Sequence, residues 1–238
     1  MDGLQFIPVN EMKQLIIKNW QTSTEKHDLT KCYGVGLVCG SPSGNLECID
    51  IDEKYSLSGV MFNTFKKMVH SINKDLLAKL VVQKTKNNGY HVIYRCSIIG
   101  GNIKLANRST TEEEREATYK KTYEAESIKG VDDLKAKERA EKAKNNDKVR
   151  VLVETRGVGG QFVCHPTPGY GFTYGDLYSI SEITVEEREL LHSVARQFNE
   201  VFEEVTAPSS VTKLKVAGKS PFEDYNERGD VVGLLESN

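Results

Sequence analysis

Three short runs carry the residue types from which phosphate chemistry can be built: Cys48-Ile49-Asp50-Ile51-Asp52, Asn88-Gly89-Tyr90-His91 and Val153-Glu154-Thr155-Arg156. Alternation along a strand puts Asp50 and Asp52 on one face, about 7 Å apart, and turns Ile49 and Ile51 into the core. Two carboxylates so placed repel each other unless a cation sits between them. Hard oxygen ligands in Asp-x-Asp spacing suit Mg²⁺ or Mn²⁺. The same spacing also fits two acids on a solvated sheet face. Leu46, Ile49 and Ile51 mark a buried strand, where aspartate is a depleted type, and this tilts the reading towards function. A fold that joins the three runs would hold divalent metal beside a phosphate-binding histidine, which is the chemistry of nucleotidyl transfer.

Glu154 closes the run Val151-Leu152-Val153 and could supply a third carboxylate, or lie on the surface. Arg156, next to a glycine turn, could reach a phosphate or pair with an acid. His91 opens an apolar strand, on the same face as Ile93 and opposite Tyr90 and Val92; it is either a hydrogen-bonded core residue or a functional one. Gly89 before it would let phosphates approach the backbone closely. Lys84 and Lys86 on the same hairpin are further candidates for triphosphate or template contacts. No GxxxxGK[ST] loop, complete dinucleotide fingerprint or GxSxG elbow is present.

The elements that must position these residues follow from periodicity and turn chemistry. Apolar spacing predicts a helix over residues 10–20, with Asn10 as its N-cap. Strands are predicted at 33–39 and 45–52 around the Gly40–Gly44 turn, and a helix over 58–72. Strands at 80–85 and 90–95 are joined across Lys86-Asn87-Asn88-Gly89, a hairpin signal. Further strands fall at 149–154, 161–164 and 172–174, with Gly157-Val158-Gly159-Gly160 turning the chain back between the first two. Thr184-Val185-Glu186-Glu187 has capping-box form and opens a helix to about residue 205. Roughly half of residues 107–150 are charged. This segment reads as a solvated helical hairpin broken near Gly130 and inserted between core strands, or as a clamp for template or partner. The order predicts an α+β domain with a mixed or mainly antiparallel sheet. A catalytic domain over 1–205, a linker over 206–220 and the start of a helical region at 221–238 are expected.

Composition sets outer limits. The formal net charge of -2 provides no global basic field for nucleic acid, although a local groove can still be basic. Five scattered cysteines lack the CxxC spacing of a zinc site and read as free thiols in a reducing compartment. No apolar run approaches bilayer length and the start has no secretory pattern, so a location in the cytoplasm, or in a host cytoplasm, is expected.

Taken together, the runs resemble the bifunctional primase-polymerase domain of the archaeo-eukaryotic primase superfamily, found at the N-terminus of phage and plasmid replication proteins. Gly34-Val35-Gly36-Leu37-Val38-Cys39-Gly40 followed by Gly44 to Asp52 looks like its glycine-rich lead-in and Asp-hydrophobic-Asp motif. Asn87-Asn88-Gly89-Tyr90-His91 resembles its second motif. Glu154-Thr155-Arg156-Gly157, trailed by His165-Pro166, resembles its third. The resemblance, over about residues 33–174, implies an RRM-like catalytic palm plus a small N-terminal α/β module. It implies that Asp50, Asp52 and Glu154 hold two divalent ions, Mg²⁺ or Mn²⁺, and that His91, with Arg156, binds the triphosphate. Primase or DNA polymerase activity would follow, with single-stranded DNA template and nucleoside triphosphates as partners. A helicase domain is expected further along a longer full-length chain. A non-catalytic single-stranded nucleic-acid-binding module, displaying Tyr90, Tyr94, Phe162 and Tyr174, and a metal-dependent nuclease are the alternatives.

Overall fold

A computed structural model describes residues 3–201 other than 15, 18 and 22–24. The expected linker at 206–220 and the helical start at 221–238 lie outside the described residues. In chain order the strands are β1 (Phe6–Val9), β2 (Gly34–Val38), β3 (Leu46–Ile51), β4 (Val81–Lys84), β5 (Tyr90–Cys96) and β6 (Lys104–Ser109), then β7 (Val149–Arg156), β8 (Gln161–Cys164), β9 (Gly171–Tyr174) and β10 (Glu182–Ile183). The helices are α1 (Met61–Ile72), α2 (Glu112–Ile128), α3 (Asp133–Asn146) and α4 (Val185–Arg196). The strands form two sheets, one ordered β1-β2-β8 and a larger one ordered β6-β7-β3-β5-β4-β9, with β10 added beside β5. Every pairing is antiparallel except β10 with β5. This is the α+β class that the element order predicts.

Strand alternation gives the large sheet two apolar faces. Ile49, Ile51, Val92 and Tyr94 pack under α1 and α4, against Phe62, Phe65, Val69 and Leu191. Leu46, Cys48, Val81 and Ile93 point the other way and pack against Val35, Leu37, Phe162 and Cys164 of the small sheet. Cys39, Cys48, Cys96 and Cys164 are buried, and all five cysteines are free.

Two expected turns do more than reverse the chain. Gly40–Gly44 and Gly157–Gly160 each carry it from one sheet to the other, so β2 does not pair with β3, nor β7 with β8. Instead β2 pairs with β8, and the crossings lie together, with Cys39 N–H donating to Gly160 O at 2.9 Å. The second crossing is tight: a Cβ on Gly157 would lie 2.1 Å from Gly100 O, so only glycine fits.

Local chemistry explains the other departures. The helix expected over 10–20 does not form in its described residues. Asn10 Oδ1 takes the Gln14 N–H at 2.9 Å and Lys13 adopts φ 61°, so side-chain bonding outcompetes the helix and leaves Met12 and Ile16 exposed. Helix α1 begins at Met61, not residue 58, because Glu53 accepts from Met61 N–H (2.6 Å) and Phe62 N–H (2.9 Å). Helix α4 opens on its Thr184–Glu187 capping box but stops at Arg196. Just beyond, Asn199 Oδ1 accepts from Asn107 N–H and Glu200 N–H donates to Asn107 O, both at 2.8 Å, which ties the chain to β6.

The charged segment is a helical hairpin, α2 and α3, broken at Gly130 with φ 75°. Only Ala136, Ala140 and Glu126 are buried on it, and Glu126 pairs with Arg139 and Lys129. It starts later than expected, because residues 107–109 belong to β6.

A polar cluster fixes α4 to the helix face of the sheet. Glu47, fully buried on β3, accepts from Arg188 Nε at 2.6 Å, Arg188 Nη2 at 2.9 Å and Tyr94 OH at 2.7 Å. Burial pushes the Glu47 carboxyl up, but hydrogen bonds from His192, Arg188 and Tyr94 outweigh it and bring it down to about 2. The stability this supplies is present above the ordinary glutamate range, near 4.5, and is lost as pH falls towards 2. Glu47→Ala, which leaves Arg188 buried without its main partner, should cost roughly 3–5 kcal/mol in urea unfolding at pH 7. An unchanged midpoint would show that the cluster does not hold α4.

Candidate active site

Register brings the three sequence runs together. Asp50 on β3 pairs with His91 on β5 and with Glu154 on β7. Gln83 on β4 continues the row beyond His91, and Lys104 on β6 continues it beyond Glu154. Cross-strand partners share a face at Cβ separations of about 5 Å, so these side chains line one transverse row. The row lies on the face shared with the small sheet, where apolar Leu46 and Cys48 give way to acids. Asp52 sits one residue past β3, yet its N–H still donates to Leu152 O at 2.9 Å.

Arginine and lysine hold the acids. Arg156 Nη2 lies 2.5 Å from Glu154 Oε1 and 3.6 Å from Asp50 Oδ2, while Lys54 Nζ lies 3.1 Å from Asp52 Oδ1. This neutralisation is incomplete. Burial, reinforced by the Asp52 charge, pushes the Asp50 carboxyl up to about 6 despite Arg156 and Lys54. Burial also raises Glu154; Arg156 pulls it back, and Asp50 and Asp52 push it further up.

His91 is buried, 5% exposed, between the edge of Phe162 at 5.1 Å and Tyr170 at 6.1 Å. Its Nε2 lies 3.6 Å from Asp50 Oδ1, and its Nδ1 lies 3.0 Å from Gln83 Nε2. Burial, then the Arg156 charge, pushes it down to about 3, so the ring is neutral at physiological pH. In that state the ring can offer a hydrogen bond but no charge.

Lys84 pairs with Tyr90, on the face opposite Gln83 and His91, so it is not brought to the site. Gly89 is required by the protein itself, since a Cβ there would lie 2.6 Å from Ile51 O. Sequence reasoning passed over three neighbours: Gln83, Tyr170, and Lys13, whose Nζ stands 5.1 Å over the Tyr170 ring. Gln83 had a signal, because a lone amide in an apolar strand needs partners.

The donor set of three carboxylates suits a hard divalent ion, and the raised Asp50 shows a locus short of positive charge. Among the described residues, however, no group of three or more His, Cys, Asp or Glu side chains is arranged to hold a metal ion. Arg156 and Lys54 occupy the carboxylates instead, so an ion has to compete with them.

A carboxyl raised in the folded state destabilises the fold when ionised, so this contribution worsens as pH rises from about 4 through 6. Asp50→Asn should therefore stabilise the protein by about 1–3 kcal/mol in urea at pH 8 with chelator present. A destabilised variant would mean that Arg156 satisfies Asp50 fully.

The model of the bifunctional DNA primase/polymerase N-terminal family matches residues 10–184, a span that includes every strand of the row and the helical hairpin. The chain has no significant match among curated proteins. It belongs to the bifunctional DNA primase/polymerase N-terminal family, whose kind of activity is DNA-directed nucleotidyl transfer.

Proposed function

We propose that this domain is a template-directed DNA primase or DNA polymerase whose Asp50, Asp52 and Glu154 hold two divalent ions, Mg²⁺ or Mn²⁺. The observation that carries the reading is the single row in which β3, β5 and β7 align Asp50 with His91 and Glu154, with Arg156 against two of the acids. Bound there, the ions would supply an activated 3′-hydroxyl and charge stabilisation for the leaving pyrophosphate. Arg156 is the cation closest to the carboxylate pair, and its fork is suited to phosphate oxygens. His91 adds a neutral hydrogen bond. The charges of Lys13, Lys54, Lys86 and Lys104 also reach the cluster or its neighbour Tyr170, giving local positive potential in a chain of net charge -2.

Template binding would run mainly through the phosphate backbone and weaken with salt. Single-stranded DNA, nucleoside triphosphates and a helicase region of a longer chain are the partners this reading assigns. A non-catalytic stacking platform is disfavoured by burial: Tyr94 and Phe162 are in the core and Tyr90 stacks on Phe62 at 3.8 Å, which leaves Tyr174 as the one exposed ring of the four. No helix among the described residues is long and apolar enough to cross a membrane.

On primed single-stranded DNA with Mg²⁺ or Mn²⁺, Asp50→Ala with Asp52→Ala should lower nucleotide incorporation by at least about 10³-fold while the fold persists. Lys84→Ala should stay near wild type. Undiminished synthesis by the double variant would end the catalytic assignment, and loss of labelled DNA without added nucleotides would replace it with hydrolysis.

A further inference from the structure

Gln83 stands fully buried in β4 with every polar atom of its amide engaged. Its Oε1 accepts the His165 backbone N–H at 2.7 Å. Its Nε2 donates to Val163 O at 3.1 Å and reaches His91 Nδ1 at 3.0 Å. The reversed amide would set oxygen against the Val163 carbonyl and nitrogen against the His165 N–H, two repulsive contacts. The backbone of β8 and the residue that follows it therefore decide which end of the amide meets His91. Both Nε2 hydrogens are then committed, and His91 Nδ1 must accept. A ring whose Nδ1 keeps its lone pair carries its proton on Nε2. That N–H is the atom 3.6 Å from Asp50 Oδ1.

We infer that Gln83 is a positioning residue that locks His91 as the Nε2–H tautomer, so that the imidazole presents a proton donor, never a lone pair, to the acid cluster. Two consequences follow. A nitrogen that keeps its proton cannot ligate a metal, so His91 is excluded from the ligand set although it lies beside it. The donor is also fixed before any substrate enters, so no proton has to be rearranged when an anionic oxygen arrives. The effect on catalysis rests on the function proposed above; the tautomer does not.

Long-range ¹H–¹⁵N spectra of the ¹⁵N-histidine-labelled chain test this directly. Among the five histidines, His91 is identified by the signal lost in His91→Asn. Its Nδ1 should show the shift of an unprotonated nitrogen and its Nε2 that of a protonated one. Gln83→Glu places an acceptor against Nδ1 and should move the proton there. The same variant should lose roughly 10–100-fold in nucleotide incorporation, the usual scale for groups that orient functional histidines. A wild-type spectrum with Nδ1 protonated overturns the inference with no variant needed, and so does a folded Gln83→Glu protein whose His91 is unchanged. The expected spectra from a chain that incorporates no nucleotide would leave the lock standing and overturn the functional assignment instead.

Discussion

Because β3 is paired on both sides, its register between β5 and β7 decides whether a site exists at all. Asp50 meets His91 on one neighbour and Glu154 on the other, and Arg156 lies two residues beyond Glu154 on the same face. Side chains alternate with a period of two, so a slip of β3 by one residue would send Asp50 and Asp52 to the helix face, away from His91 and Glu154, and bring Ile49 and Ile51 into the polar row. The apolar alternation of β3 prevents that slip, since both isoleucines are fully buried under α1 and α4. The core therefore sets the geometry of the acids, and the acids contribute little to holding the fold.

The same strand shows the two fates of a carboxylate in a sheet. Glu47 faces the helices and is met by Arg188, His192 and Tyr94, so its ionised form is favoured even though it is fully buried. Asp50, three residues on, faces the site with only a distant share of Arg156 and has a second acid nearby, so its ionised form is disfavoured. One is satisfied and rigid. The other keeps an unmet demand for positive charge, and such a demand is where a ligand finds its binding energy.

The sequence made the site legible because its signals are local. Period-two alternation placed Asp50, His91 and Ile93 on their faces, the Asn-Gly turn closed the β4–β5 hairpin, and Thr184 and Gly130 marked a helix start and a break. What stayed hidden is non-local. Nothing in Gly40–Gly44 or Gly157–Gly160 says that these turns change sheets, because that depends on how the two sheets pack. Residues 107–109 of β6 fall within the charged segment by composition, because an edge strand carrying Arg108 looks solvated, although Arg108 is buried against Glu114 and the Tyr55 carbonyl. The charge state of His91 depends on burial by Phe162 and Tyr170, which are remote in sequence. The face of Lys84 is also a matter of register: a four-residue turn at 86–89 would set it opposite His91, whereas the observed pairing sets Gln83 there and turns Lys84 away.

Glu154 follows the charged segment directly, an unpromising place for a group that must be held to a fraction of an ångström. The helical hairpin resolves this by where its ends fall. Helices α2 and α3 leave and re-enter at the tip of the β6–β7 pair, where Ser109 faces Val149 and Thr110 N–H donates to Lys148 O at 3.0 Å. Both ends are thus fixed by an ordinary antiparallel ladder, and closing a longer loop across that tip adds only slowly to the entropy cost. Four residues of β7 separate Val149 from Glu154, and the strand pairs with β6 on one side and, from Val153, with β3 on the other. The insertion can therefore vary in length or charge without shifting the register that sets Glu154 opposite Asp50.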